Sequence, residues 1–317
     1  MRSWGLQDRL IIMCCEGKRA FPVETLGQSA ERILSLSQRG KIILVSHKGW
    51  YLSWEEGITL ICDSAYGLIP TGIGIPDFQE KFAFNKAWEN VSAECFDGKL
   101  TLPFCVLETS DAKRAPQTKR DYSGIQFSSL TAQAEALLRE AGKGYLYTFL
   151  QDVENLIDGR EKENGTGLCS EHAFEKQSRI RLQNLFCALN KGNPEKIAAC
   201  TAKLLGLGKG LTPSADDWLL AFLYTLDRIS KRSETESLRH ALRNYVLSCT
   251  HSISASYLMS AVNQEYFERL EDVLQYADRP HMNALLEIGS SSGADMLTGI
   301  CFALEYVREK ERSERYA

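Results

Sequence analysis

The chain carries ten cysteines yet has no two of them separated by only two residues, and it has no H-E-x-x-H. Cys14 and Cys15 are adjacent, while Cys62, Cys95, Cys105, Cys169, Cys187, Cys200, Cys249 and Cys301 are scattered. Structural zinc draws its ligands from close Cys or His pairs, so this spacing argues against a zinc site, and the five dispersed histidines do not restore one. The cysteines sit in apolar company and are expected to be small core residues in a reducing cytoplasm. A basic excess is missing too: 37 Lys and Arg stand against 41 Asp and Glu, a formal charge of −4, which argues against a general nucleic-acid binder. No apolar run approaches the ~20 residues of a membrane span. Residues 1–21 hold only a short apolar patch interrupted by charge, unlike a signal peptide. The expectation is a cytoplasmic protein with neither nucleic acid nor membrane as partner.

Familiar phosphate and nucleophile motifs are absent as well. Lys209 follows Gly208 but precedes Gly210 rather than Ser or Thr, and no strand leads into it, so this is not a Walker A loop. The same loop joins helix to helix, which excludes a dinucleotide fingerprint. There is no G-x-S-x-G elbow.

What is present is a pair of small-residue loops, each entering an apolar helix. In LLGLGKGLTPSADDWLLAFL (204–223) three glycines come two apart, followed by Thr212-Pro213-Ser214 and two aspartates. Thr212 reads as an N-cap with proline in the first helical position, or Ser214 as the cap with Asp217 in the third. Either way a glycine-rich turn leads to a helix N-terminus, where unpaired N–H groups and the macrodipole favour negative charge. GSSSGADMLTGICFAL (289–304) echoes it, with Ser292 on Ser214, Asp295 on Asp217, Leu297 on Leu219 and Gly299 on Ala221. Each loop alone is an ordinary capped helix. Two of them, richer in Gly and Ser than a cap requires, predict one shared site.

Around these loops the chain changes character. At 317 residues two domains are expected. Residues 1–127 read as a β-rich antiparallel barrel or sandwich, with runs at 41–47, 50–54 and 57–63 and a hairpin turn at Asp97-Gly98. Pro70 and Pro76 argue against a central strand between 67 and 78, whereas 82–88 continues the strand rhythm. The basic stretch 110–124, with Lys113, Arg114, Lys119 and Arg120, reads as a solvated linker. Residues 128–317 show helical periodicity throughout, so the fold class is α+β with an all-helical C-terminal domain. Within that half Thr250 and Ser254 lie one helical turn apart and share a face. His251, the histidine nearest to either loop, is a candidate general base weighed against an ordinary structural role.

Three segments in this order, GLGKGLTPSADDWLLAF, then T-x-x-x-S-x-x-x-L-x-x-A over 250–261, then IGSSSGADMLTG, resemble a bacterial family once catalogued as of unknown function. That family is associated with one subunit of oxamate carbamoyltransferase, from anaerobic allantoin degradation. The resemblance covers most of the helical half and extends more loosely to the β-rich half. It implies carbamoyl transfer between oxamate and phosphate, with carbamoyl phosphate and oxalurate on the two sides, in company with two other, unrelated subunits. The family usually has proline at the position of Lys209, glycine at Ala215 and Ala221, and histidine and tryptophan at Ser290 and Ala294. Thr212, Pro213, Ser214, Asp216, Asp217, Ser292 and Asp295 keep its pattern.

Such chemistry needs an anion cradle and donors for charge developing on a carbonyl oxygen. Backbone N–H groups from Gly208 through Gly210 to Ser214, and of Ser291, Ser292 and Gly293, are the expected cradle. Lys209 and the hydroxyls of Thr212, Ser214, Thr250, Ser254 and Ser292 complete the substrate-binding set. Asp216, Asp217 and Asp295 are the candidate catalytic residues. Their charge would repel phosphate, which leaves two readings. Asp217 and Asp295 cap their helices while Asp216 accepts from the substrate NH₂; or the carboxylates hold Mg²⁺, a hard cation suited to oxygen ligands. The first needs no cofactor. The scarcity of arginine in the motifs keeps a non-catalytic anion-binding or regulatory subunit in play, with a phosphotransferase as the further alternative.

Overall fold

The computed structural model describes residues 18–116, 122, 127–158, 173–230 and 233–316. The chain divides into two compact units: Met1–Thr118 with Glu265–Glu268, and Lys119–Gln264 with Arg269–Ala317.

The first unit is built on strands β1 (Arg19–Pro22), β2 (Thr25–Leu26), β3 (Arg39–Val45), β4 (Gly49–Trp54), β5 (Gly57–Asp63), β6 (Gly72–Ile75), β7 (Ser92–Phe96), β8 (Lys99–Leu102) and β9 (Cys105–Glu108). Helices α1 (Gln28–Leu36) and α2 (Phe78–Lys81) are interspersed. The strands form one mixed, mostly antiparallel half-barrel in the order β1-β9-β8-β7-β3-β4-β5-β6-β2. Among the strands named here only β1 with β9 and β5 with β6 run parallel to each other. The alternating apolar residues of β3 and β4 turn Ile42, Trp50 and Leu52 inward. Trp50 meets Phe78 and Phe82 edge-on at ring-centroid distances of 5.0 and 4.9 Å, and Trp88 stacks on Phe104 at 4.4 Å. Such offset and perpendicular aromatic pairs bury large areas and fix their relative geometry.

Three expectations for this unit need correction. The segment between Pro70 and Pro76 does contain a strand, β6, paired to β5 on one side and β2 on the other. Both prolines flank the ladder and so remove no donor from it. Residues 82–88 are not a strand but end in a 3-10 turn at Lys86–Trp88, capped by the Asn85 side chain. Lys113 and Arg114 are not merely solvated, for they pair with Glu268 and Glu31, each at 2.7 Å. Lys119 and Arg120 lie outside the described residues. The Asp97-Gly98 turn joins β7 to β8 with both residues at positive φ, as a tight hairpin demands.

The second unit comprises helices α3 (Phe127–Ala141), α4 (Val153–Asp158), α5 (Ala173–Asn190), α6 (Pro194–Leu204), α7 (Ser214–Ile229), α8 (Ser233–Cys249), α9 (Ser252–Val262), α10 (Glu268–Tyr276), α11 (Arg279–Leu286) and α12 (Ser292–Tyr316). The first residue of α10, Glu268, is counted with the sheet unit. Every residue of α7 from Ser214 to Leu226 is buried, as befits a helix apolar on all sides. It packs most extensively against α12, and the two backbones meet where small residues allow it. A β-carbon on Gly299 would lie 2.4 Å from the Trp218 carbonyl oxygen and 3.1 Å from Ala221 Cβ. Ala221 and Gly299 are matched positions of the internal echo, so the two copies touch at equivalent residues.

The described cysteines are free thiols. Burial pushes the thiols of Cys62 and Cys105 up to about 12, so they behave as small core groups. Among the described residues no helix is long and apolar enough to cross a membrane.

Candidate functional site

The loop after α6 is shaped by glycines. Gly206, Gly208 and Gly210 all have positive φ. At Gly208 the need is also steric, because a β-carbon there would come within 2.5 Å of the Ser214 amide nitrogen. The turn folds back so that Ala215 N donates to Leu207 O at 3.0 Å, while the N–H groups of Asp216 and Asp217 go to Pro213 O. Helix α7 therefore starts at Ser214 with Pro213 as its N-cap, and no side chain caps it. This corrects both capping registers expected from the sequence. The backbone carbonyl of Pro213 and the folded-back loop meet those donors, which frees the hydroxyls and carboxylates.

The three aspartates have different surroundings. Asp216 is engaged on both oxygens: Oδ1 accepts from Gly206 N at 2.8 Å, and Oδ2 from the hydroxyls of Ser254, at 2.6 Å, and Thr250. Burial raises its pKa, and those three donors, together with nearby His251, oppose the rise. Asp295 Oδ1 accepts from the backbone N–H of Tyr145, at 2.9 Å, and more distantly from that of Leu146. Its Oδ2 is buried without a partner. Asp217 makes no well-formed hydrogen bond, and its Oδ2 is also buried and unpaired.

Burial raises Asp217 well above the ordinary carboxylate value, with the neighbouring charge of Asp295 as the second cause. Nearby hydroxyls of Ser292 and Thr212 only partly offset this. Burial raises Asp295 to about 6, opposed by the Tyr145 and Leu146 amides and by Ser214. Ser214 is thus close enough to stabilise the Asp295 charge, yet its Oγ closes no hydrogen bond of good geometry and is buried without a partner.

The two loops come together. Thr212 Oγ1 and Ser292 Oγ are 3.0 Å apart, a hydrogen bond spanning 80 residues of sequence. Around that bridge the N–H groups of residues 208–212 and 290–292 make no hydrogen bond within the described protein. Gly293 N is committed to Ile288 O. Lys209 and Gly210 are exposed, and Lys209 has no ion-pair partner among the described residues. The expected common helical face of Thr250 and Ser254 takes a different form: α8 ends at Cys249 and α9 begins at Ser252. The two hydroxyls nevertheless converge on one oxygen of Asp216. His251 occupies the break, exposed, and its carbonyl accepts from Ala255 N.

Sequence reasoning missed the segment that carries Tyr145 and Leu146. Its contribution is made by backbone amides, which leave no residue-type signature. Only Gly144, at positive φ and packed against Ala294 and Asp295, hints at a close approach there. Among the described residues no group of three or more His, Cys, Asp or Glu is disposed to hold a metal ion.

Both loops, the starts of the helices they open and the Thr250–Ser254 segment fall within one matched stretch. Residues 204–304 match the oxamate carbamoyltransferase subunit family AllH. The AllH stretch begins at the last residue of α6 and ends inside α12, so it encloses the two loops, the three aspartates and the hydroxyl pair on Asp216. Of the groups placed at the site, the Tyr145–Leu146 amides and the neighbouring Gly144 lie outside it. No solved structure matches the chain.

Proposed function

We propose that this chain is a subunit of oxamate carbamoyltransferase and that its paired loops bind the small anionic substrates of that reaction. The observation that carries the reading is the Thr212–Ser292 bridge inside the AllH stretch, because it brings two sets of unpaired backbone donors side by side. Successive N–H groups at turns and helix starts bind phosphate and carboxylate without needing arginine. Lys209 adds a cation at the exposed rim. In the reaction a phosphate oxygen attacks the terminal carbamoyl carbon of oxalurate, and the C–N bond to the oxamate nitrogen breaks. That nitrogen takes up the proton that phosphate gives up, so oxamate and carbamoyl phosphate leave. Donors fixed before the carbonyl oxygen gains charge lower that barrier. In this reading Asp216 is a positioning residue, which ties the loop at Gly206 to α9 through Thr250 and Ser254.

The enzyme would be cytoplasmic, with two companion subunits completing it. The test is phosphate-dependent conversion of oxalurate to oxamate, measured for the pure chain and after adding the companions. Turnover is expected only in the mixture. Full turnover by the chain alone would remove the subunit model, and none in any mixture would remove the carbamoyltransferase reading.

A further inference from the structure

The backbone cradle accounts for an anion but not for the buried acceptors beside it. Ser214, Asp217 and Asp295 are 1%, 3% and 0% exposed, and each holds a side-chain oxygen with no partner. The hydroxyls of Ser292 and Thr212 lie near Asp217 and that of Ser214 near Asp295, yet Oδ2 of each aspartate stays unpaired. A buried polar atom left in this state costs about 1–3 kcal/mol, so three converging from the first turns of two helices point to a ligand that satisfies them. A second anion would not, since two of the three groups are carboxyls close enough to feel each other's charge. A neutral group rich in N–H donors would.

Resting on the carbamoyltransferase reading, we propose that Ser214, Asp217 and Asp295 form a pocket for the terminal –CO–NH₂ group of the substrate, while the loop N–H groups hold its anionic end. Oxamate, oxalurate and carbamoyl phosphate all have this two-ended form: an anion at one end and a primary amide at the other. Two facing buried carboxyls do not both ionise, and one proton shared between them gives the pocket a donor and an acceptor. Asp217, which has no backbone N–H on its carboxyl, is the member assigned the proton, for donation to the carbonyl oxygen. Asp295 is held by the Tyr145 amide on Oδ1, which leaves Oδ2 to accept from the NH₂. Both helices contribute, which explains why the echo repeats Ser and Asp at the same spacing.

Carbamoyl phosphate and acetyl phosphate have the same anionic end and differ by NH₂ against CH₃, so calorimetric binding of each to the assembled enzyme isolates the amide end. The wild type is expected to prefer carbamoyl phosphate by at least about tenfold, the scale on which a site built for a hydrogen-bonding group rejects an analogue lacking it. Asp295→Asn is expected to bring the two ligands within about twofold while acetyl phosphate binding stays unchanged. Ser214→Ala, should Asp295→Asn fail to assemble, is expected to narrow the preference in the same direction. Equal binding by the wild type, or a preference kept intact in the variants, would overturn the pocket. An enzyme that transfers carbamoyl groups yet shows no such preference refutes only the pocket, whereas one that transfers none refutes the reading beneath it.

Discussion

Asp217 and Asp295 occupy matched positions at the starts of α7 and α12, but only Asp295 accepts from backbone N–H groups, those of a third segment. The backbone N–H groups of Tyr145 and Leu146 hold one of its oxygens, and its pKa rises only to about 6. Asp217 receives no comparable donor and rises well above the ordinary value. The first loop compensates with an additional aspartate, Asp216, where the second has Ala294. Its carboxylate takes the donors of the surrounding chain, so the neighbouring Asp217 is left unpaired. Two copies of one sequence pattern thus place three buried aspartates in three different surroundings.

The largest effect should come from removing the fixing residue. Asp216→Ala leaves Gly206 N and the hydroxyls of Thr250 and Ser254 without their acceptor, a loss of roughly 3 kcal/mol or more. Denaturant unfolding of the pure chain measures it, with turnover of the assembled enzyme falling in parallel. Stability unchanged within 1 kcal/mol or so would mean that Asp216 does not tie the loop down.

Asp295→Asn should move stability and activity in opposite directions. The folded pKa lies above the unfolded one, so the contribution of this group is complete below pH ~4 and is lost as pH rises to about 6. At neutral pH the asparagine variant escapes that cost and should be more stable, by at most ~3 kcal/mol. The wild type should therefore melt higher near pH 4 than near pH 7 in the part of the profile that the variant lacks. Identical pH profiles for the two proteins would show that Asp295 does not titrate in this window. Turnover of the variant should drop by roughly a hundredfold, the scale for loss of one positioned polar group.

Thr212→Val should have the smallest effect. It removes the hydroxyl bridge to Ser292 together with the Thr212 hydroxyl's support of Asp217, at a cost of about 1 kcal/mol. If the bridge sets the width of the cradle, phosphate affinity should fall several-fold while Tm barely changes; an unchanged affinity would separate the two loops functionally.

Much of this was legible in the residues. The β-branched and aromatic runs at 41–63 became β3, β4 and β5, and the Asp-Gly turn marked its hairpin. Helical periodicity marked the all-helical C-terminal region, and the echoed Ser-x-x-Asp pointed to loops that do converge. The prolines at 70 and 76 misled because their effect depends on whether they fall within the ladder or just outside it. The direction of each aspartate was not legible, since one residue of helix register turns a side chain by about 100°. Nor was the support given by the Tyr145 and Leu146 amides, which any sequence there would present.

The close passage of Ala221 and Gly299 has a consequence for how wide the cradle opens. Each lies seven residues beyond the serine that begins its helix, roughly 10 Å along the axis. Two rods that cross at a fixed point diverge from it at a set angle, so the gap between their ends is decided by how near they come at the crossing. A single methyl group at position 299 would lift one rod off the other and part the loops without altering any group that faces substrate. The separation of the two loops is in this sense gauged two helical turns down, by a place where there is no side chain at all.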